Sequence, residues 1–215
     1  MIFTAFIGIW VTFGLYLGFA MPPAGGLVAT PCAFLHIPMA IAMEFAFLLS
    51  AFFGVLWLVK RQTKFDAMSL AFAETGLVFC VIALITGSLW AKVNWNAYWS
   101  WDPQQVGIVA TLLVYAALFA LRGAVEDEGK RRDLSAVYVV FGFIAAYYFT
   151  VIFRKLAPAT LHPKDIMAGS DHLFKTVLRV NYFGFTLLAI QIARLRARIE
   201  NAHNSLKEQA WTTSI

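Results

Sequence analysis

The sequence predicts an all-α polytopic membrane protein, six transmembrane helices in one bundle, with residues 1–215 forming a single membrane domain. Two observations lead there. Of the 215 residues 60% are hydrophobic and 13% charged, about half the charge of an ordinary soluble domain, and the mean hydropathy is +0.71. A soluble protein of this size has too little interior to hide so much apolar surface, so the excess faces lipid. The apolar residues also collect in six runs of roughly the 20 residues that a spanning helix needs.

The first run, Ile2–Met21, lacks a basic leading segment and a small-residue cleavage site before Pro22, so it is expected to be a retained span and not a signal peptide. The second and third, His36–Val59 and Ala67–Trp90, each carry one carboxyl, Glu44 and Glu74. A charge inside a span is costly and usually faces the bundle interior. Glu44 follows His36 by eight residues, broadly the same face at 3.6 residues per turn. It either tunes His36 and the space beneath it or is a protonated carboxyl bonded between helices. The fourth run, Gln104–Leu121, follows Asp102-Pro103-Gln104-Gln105, which reads as an N-cap, Pro at N1 and Gln at N3 closing a capping box. The fifth is Leu134–Phe153. The sixth, Thr176–Ala193, leads into RLRARIENAHNSLKEQAW, a polar extension over 194–215 in which His203 reads as a surface residue. No internal repeat of 20–50 residues is present.

The net charge of +5 would suit nucleic acid, but no basic stripe with interleaved aromatics is present. Basic residues of a membrane protein gather in cytoplasmic loops. Lys60, Arg61, Lys64, Arg122, Lys130, Arg131, Arg132, Arg194, Arg196, Arg198 and Lys207 fall on one side; Lys92, Arg154, Lys155, Lys164 and Lys175 fall on the other. The first side is expected to be cytoplasmic, with both termini. Three connections then face outward: Pro22–Leu35, Ala91–Pro103 and Arg154–Lys175. Cys32 and Cys80 are far apart and imply no disulfide framework. Cys80 reads as a small buried hydrophobe; Cys32 lies near an interface.

The chemistry is concentrated on the outer face. The first outer connection has no charge, and the third is basic with two of the four histidines. The second, from 90 to 103, holds four of the seven tryptophans. An aromatic belt scatters Trp and Tyr over several helix ends; it does not need Trp95, Tyr98, Trp99 and Trp101 on one connection. Such a cluster reads as a flat apolar platform for a large planar ligand, because offset aromatic stacking adds to burial.

Thr86–Gln105, TGSLWAKVNWNAYWSWDPQQ, resembles the tryptophan-rich WWD loop of the haem-handling protein superfamily. With six spans, the chain is similar to the cytochrome c maturation protein C (CcmC) branch. Phe34-Leu35-His36-Ile37-Pro38 resembles that branch's first outer histidine, and Thr160-Leu161-His162 its second. Asn96 stands where the family usually has Gly, and Pro103-Gln104 where the branch usually has Ala-Arg. Asp-Pro is closer to the larger cytochrome c synthases of the superfamily.

The resemblance implies haem b with two axial histidines, His36 and His162, and a porphyrin edge held by Trp95, Tyr98, Trp99, Trp101 and Asp102. Haem iron takes neutral imidazole well, and two histidines fill both axial positions. Taken singly, each reads first as an interfacial residue capping a helix end; taken together with the aromatic connection, the two read as ligands. His172, preceded by Asp171, competes with His162 as second ligand. Arg154, Lys155, Lys164, Lys175 and Arg179 are candidates for the propionates, or for lipid headgroups. The implied partners are a periplasmic haem chaperone of the CcmE type, ABC-transporter subunits of the CcmA and CcmB types and a small membrane subunit of the CcmD type. The implied place is the bacterial inner membrane, with haem presented on its outer side and no conventional enzyme activity. Three other readings stay open: a CcsA-like cytochrome c haem lyase, favoured by Asp-Pro; a b-type electron-transfer subunit, which needs mid-span histidine pairs; and a plain transporter subunit.

Overall fold

A computed structural model of the chain describes residues 2–22, 30–157, 159–162 and 171–213. Among them every regular element is helical. The order is α1 (Ile2–Ala20), α2 (Thr30–Lys60), α3 (Thr63–Trp95), α4 (Pro103–Ala124), α5 (Glu128–Tyr147), a π-helical segment (Tyr148–Ile152), a single turn α6 (Phe153–Leu156) and α7 (His172–Thr213). Six helices are long and apolar enough to cross a membrane, α5 counting together with the segments that extend it to Leu156. The ends of α1, α3 and α6 and the starts of α2, α4 and α7 therefore lie at one end of the bundle.

The helices outrun the apolar windows at that end. α2 begins at Thr30, so His36 does not open the helix but sits in its second turn. The uncharged residues before it extend the helix, and Pro38 is tolerated within it. α3 runs on to Trp95 and ends where Asn96 takes a left-handed conformation, φ 57°, which Asn adopts more readily than most side chains. Lys92 Nζ donates to the Asn96 carbonyl at 3.2 Å. The connection is thus 96–102, and Trp90 and Trp95 belong to α3. α7 continues through the polar extension, where Arg196 pairs with Glu74 at 2.7 Å and Glu200 at 2.9 Å. The cost of a carboxyl within α3 is offset at Glu74 by that pair.

The core lies between α2, α3, α4 and α5, where Met43, Phe47, Phe79, Cys80, Tyr115 and Val139 are buried. Small residues let the helices close up. Gly14 of α1 lies against Asn181 of α7, whose Nδ2 donates to the Gly14 carbonyl at 2.9 Å. Gly107 of α4 meets the carbonyl of Phe149 in the π segment, a contact that any Cβ would block. The opposite end is tied by charge: Asp66 pairs with Arg122 at 2.9 Å, and Asp133 takes hydrogen bonds from Trp57 Nε1, at 2.9 Å, and from Arg61.

Candidate functional site: a cavity between two histidines

A cavity of about 350 Å³ opens at the end that carries the aromatic connection. That is within the range of small-molecule pockets. α2 supplies His36, Ile37 and Glu44; α3 supplies Gly87 and Trp90; α4 supplies Gln104 and Ile108; the π segment and α6 supply Thr150 and Arg154; and His162 enters from the connection after α6. The cavity therefore unites residues from five parts of the chain.

His36 is oriented by α3. Its Nδ1 lies 3.1 Å from Thr86 Oγ1. That hydroxyl donates to the Ile82 carbonyl at 2.8 Å, so it accepts from the histidine. Nδ1 then carries the ring proton and Nε2 keeps its lone pair. The ring also lies on Gly87, where an added Cβ would come within 2.8 Å of His36 Cε1. Gly87 makes room for the imidazole.

His162 is oriented by Asp102. Its Nδ1 lies 2.9 Å from Asp102 Oδ1. A carboxylate only accepts, so Nδ1–H donates and Nε2 again keeps its lone pair. Asp102 also accepts from the Gln104 amide at 2.9 Å, the Thr160 hydroxyl at 2.9 Å and the Leu161 amide at 2.6 Å. One carboxylate caps α4 and fastens the 160–162 segment to it. Burial pushes Asp102 upward, but these hydrogen bonds outweigh it and hold the carboxyl below its ordinary value. Burial pulls His162 down and Asp102 pulls it back up; with Arg154 adding to the downward pull, it titrates below an ordinary histidine. Both shifts describe an ionised Asp102 beside a neutral imidazole. A carboxylate behind the outer nitrogen fixes the tautomer of a ligating histidine and raises its basicity.

The sequence-predicted platform divides. Trp95 packs edge-on against His162 with centroids 5.1 Å apart, and Trp90 lies 6.0 Å from the same ring. Trp95 and Asp102 reach the cavity only through His162, and none of Trp95, Tyr98, Trp99, Trp101 and Asp102 lines it. Tyr98 is 57% exposed and Trp101 77% exposed, and Trp99 stands edge-on to Trp101 at 5.6 Å. The outward shelf is rigid: Gln105 accepts from the Ser100 amide at 2.8 Å and donates to the Tyr98 carbonyl at 3.0 Å. This departs from the expected capping box, because the Gln105 side chain is spent on the connection and not on Asp102. Trp101 has φ 58°, a conformation that costs a residue of its kind on the order of 1–3 kcal/mol.

His172 does not line the cavity. It begins α7, capped by Asp171 through a 2.6 Å bond from the Phe174 amide. Of the five basic candidates Arg154 lines the cavity, Lys155, Lys175 and Arg179 do not, and Lys164 lies outside the described residues. Sequence reasoning passed over Gly87 and the orienting partner Thr86; the only signal was their place a little over two turns before Trp95 on the same helix. Cys32 donates weakly to the Thr86 carbonyl at 3.5 Å and Cys80 to that of Ile108 at 3.7 Å, both structural contacts.

The family model described as heme exporter protein C matches residues 1–212. The heme exporter protein C of Paracoccus denitrificans strain Pd 1222 is 29% identical over 195 residues, 87% of this chain and 80% of that protein. That of Escherichia coli K12 is 28% identical over 197 residues, 87% of this chain and 78% of its own. That of Bradyrhizobium diazoefficiens is 33% identical over 175 residues, 77% of this chain and 65% of its own. The chain belongs to the heme exporter protein C family.

Proposed function

We propose that this member of the heme exporter protein C family holds haem at the mouth of the bundle as cargo and presents it for transfer. His36 and His162 supply the axial nitrogens, and Arg154 pairs with a propionate. The observation that carries the reading is the matched state of the two imidazoles. Both line one cavity, and each donates through Nδ1 to a fixed oxygen, so each keeps an Nε2 lone pair. Neutral imidazole is what haem iron takes. Apolar walls and a neighbouring guanidinium fit a macrocycle with ionised side arms. A cavity open to the outside suits cargo that must leave. The excess of basic residues at the far end supports a cytoplasmic location for that end, in a bacterial inner membrane.

The exposed Tyr98 and Trp101, with the half-buried Trp99 between them, form the surface that a receiving haem chaperone of the CcmE type would meet, with ABC-transporter subunits of the CcmA and CcmB types and a CcmD-type subunit alongside. The Asp-Pro pair that favoured a haem lyase has a structural account: Asp102 is the N-cap and Pro103 is N1 of α4.

The test is the absorbance spectrum of the purified chain loaded with haem. The expected result is a six-coordinate low-spin spectrum that is lost in His36→Ala, His162→Ala. Wild-type haem content in that double variant overturns the reading.

A further inference from the structure

Glu44 lies on the wall of the same cavity, deeper than His36. Eight residues at 1.5 Å each put about 12 Å of helix between them. The Thr150 hydroxyl faces two acceptors, Glu44 Oε1 at 2.5 Å and the Ala146 carbonyl at 2.8 Å. A hydroxyl has one proton. Both contacts are fully satisfied when the carboxyl itself carries a proton and donates it to Thr150, which donates onward to Ala146. Among the described residues Glu44 Oε2 is buried and has no hydrogen-bond partner. The π segment brings Thr150 to this place, and single π turns inside α-helices recur at functional sites.

We propose that Glu44 is a redox-linked proton acceptor for the cavity's cargo: protonated when the metal centre is neutral, ionised when the centre carries a positive charge. This rests on the haem reading above. The step balances as one electron from a one-electron donor, in the test below the sulfur dioxide radical anion of dithionite, which is oxidised to sulfite, plus one proton from hydronium of the bulk solvent, which leaves as water: ferric iron becomes ferrous, and the Glu44 carboxylate becomes the acid. Ferric haem leaves one net positive charge on the iron–porphyrin core; ferrous haem leaves none. Taking the about 12 Å between His36 and Glu44 as the order of the separation, with an effective dielectric constant of about 20, one charge changes the proton equilibrium by a factor of about ten.

Other ionisable groups that face Glu44 are few. His36 shares its helix and cavity; Cys80 of α3 and Tyr115 of α4 are within electrostatic reach; Arg154 and His162 stand at the mouth. Tyr138 of α5 is within electrostatic reach of Tyr115, its hydroxyl donating to the Val114 carbonyl at 2.8 Å. Glu44 is the one carboxyl among these groups.

The experiment is a dithionite titration of the haem-loaded full chain in nanodiscs across a pH series, with reduced-minus-oxidised infrared difference spectra in H₂O and D₂O. The midpoint potential should fall by a total of about 59 mV as pH rises through the carboxyl's range, the tenfold factor converted for one electron. A protonated-carboxyl band, shifted by D₂O, should grow on reduction. Glu44→Gln should abolish both effects while keeping the low-spin spectrum. Thr150→Val, which keeps the carboxyl and removes its partner, should move the band; this variant decides the matter if Glu44→Gln does not fold. A potential independent of pH in the wild type, a pH dependence or band that survives Glu44→Gln, or a band unmoved by Thr150→Val overturns the inference. Failure to take up haem through the two histidines would instead overturn the haem reading.

Discussion

The Asp102 carboxylate holds the imidazole of His162 at 2.9 Å across 60 residues of sequence. The residue that starts α4 thereby sets the proton position on a histidine that arrives after α6. The N-cap and the cavity's second imidazole are one structural unit.

Asp102→Asn tests that unit. Asn is also a good N-cap, so the helix start should survive. Its neutral amide gives up the carboxylate charge behind Nδ1. Loss of such a partner typically lowers metal affinity 10–100-fold. Haem titration should show a drop of about that size with little change in Tm, and unchanged haem affinity would remove Asp102 from the site. Asp102→Ala should add a capping loss of about 1 kcal/mol and free Thr160 and Leu161, seen as faster proteolysis at 160–162.

Gly87→Ala tests the seat of His36. The new methyl would meet Cε1 at 2.8 Å and push the ring off the Thr86 hydroxyl. Overpacking of this kind costs about 1–3 kcal/mol. The low-spin spectrum should shift toward a five-coordinate, high-spin form in a chain that still folds. A wild-type spectrum would mean that the ring has other room.

Acidification should release cargo through His162. Its neutral form is favoured in the fold, so its protonation constant lies below the ordinary histidine value. A group depressed in this way contributes stability that is present above its unfolded value, near 6.5, and is lost progressively as pH falls below it. Haem occupancy should therefore hold through pH 6.5 and decline at lower pH. Asp102, held below its ordinary value, remains ionised over that decline. A midpoint above about 6.5 in an absorbance titration would contradict the shift.

Asp66→Asn tests the clamp at the far end. Asp66 is 7% exposed and takes both Arg122, at 2.9 Å, and Arg132, at 3.7 Å. Removing one partner of a buried pair leaves charge uncompensated, at a cost of about 3–5 kcal/mol. Tm in detergent should fall by several degrees, with the haem spectrum intact in the folded fraction. Unchanged Tm would show that water reaches the pair.

The sequence by itself determined the six spans, because lipid demands unbroken apolar helices whatever the neighbours do. It also marked His36, His162 and the Trp95–Asp102 segment, because their residue types and local contexts are unusual for a helix connection. It placed Asp102 at the head of α4, since capping is a local matter of backbone amides. What it left open was everything set by approach between distant segments. The apolar windows open at His36 and close at Trp90, yet hydrogen bonding carried α2 back to Thr30 and α3 forward to Trp95. Periodicity left the face shared by His36 and Glu44 loosely defined, and packing against α3, α4 and the π segment put both on one cavity. The tertiary structure alone decided that Trp90 and Trp95 turn toward His162 while Tyr98 and Trp101 turn to the surface, and that Gln105 grips the connection. Each depends on contacts between residues brought together only when the helices close, and no local rule of propensity, capping or hydropathy encodes them.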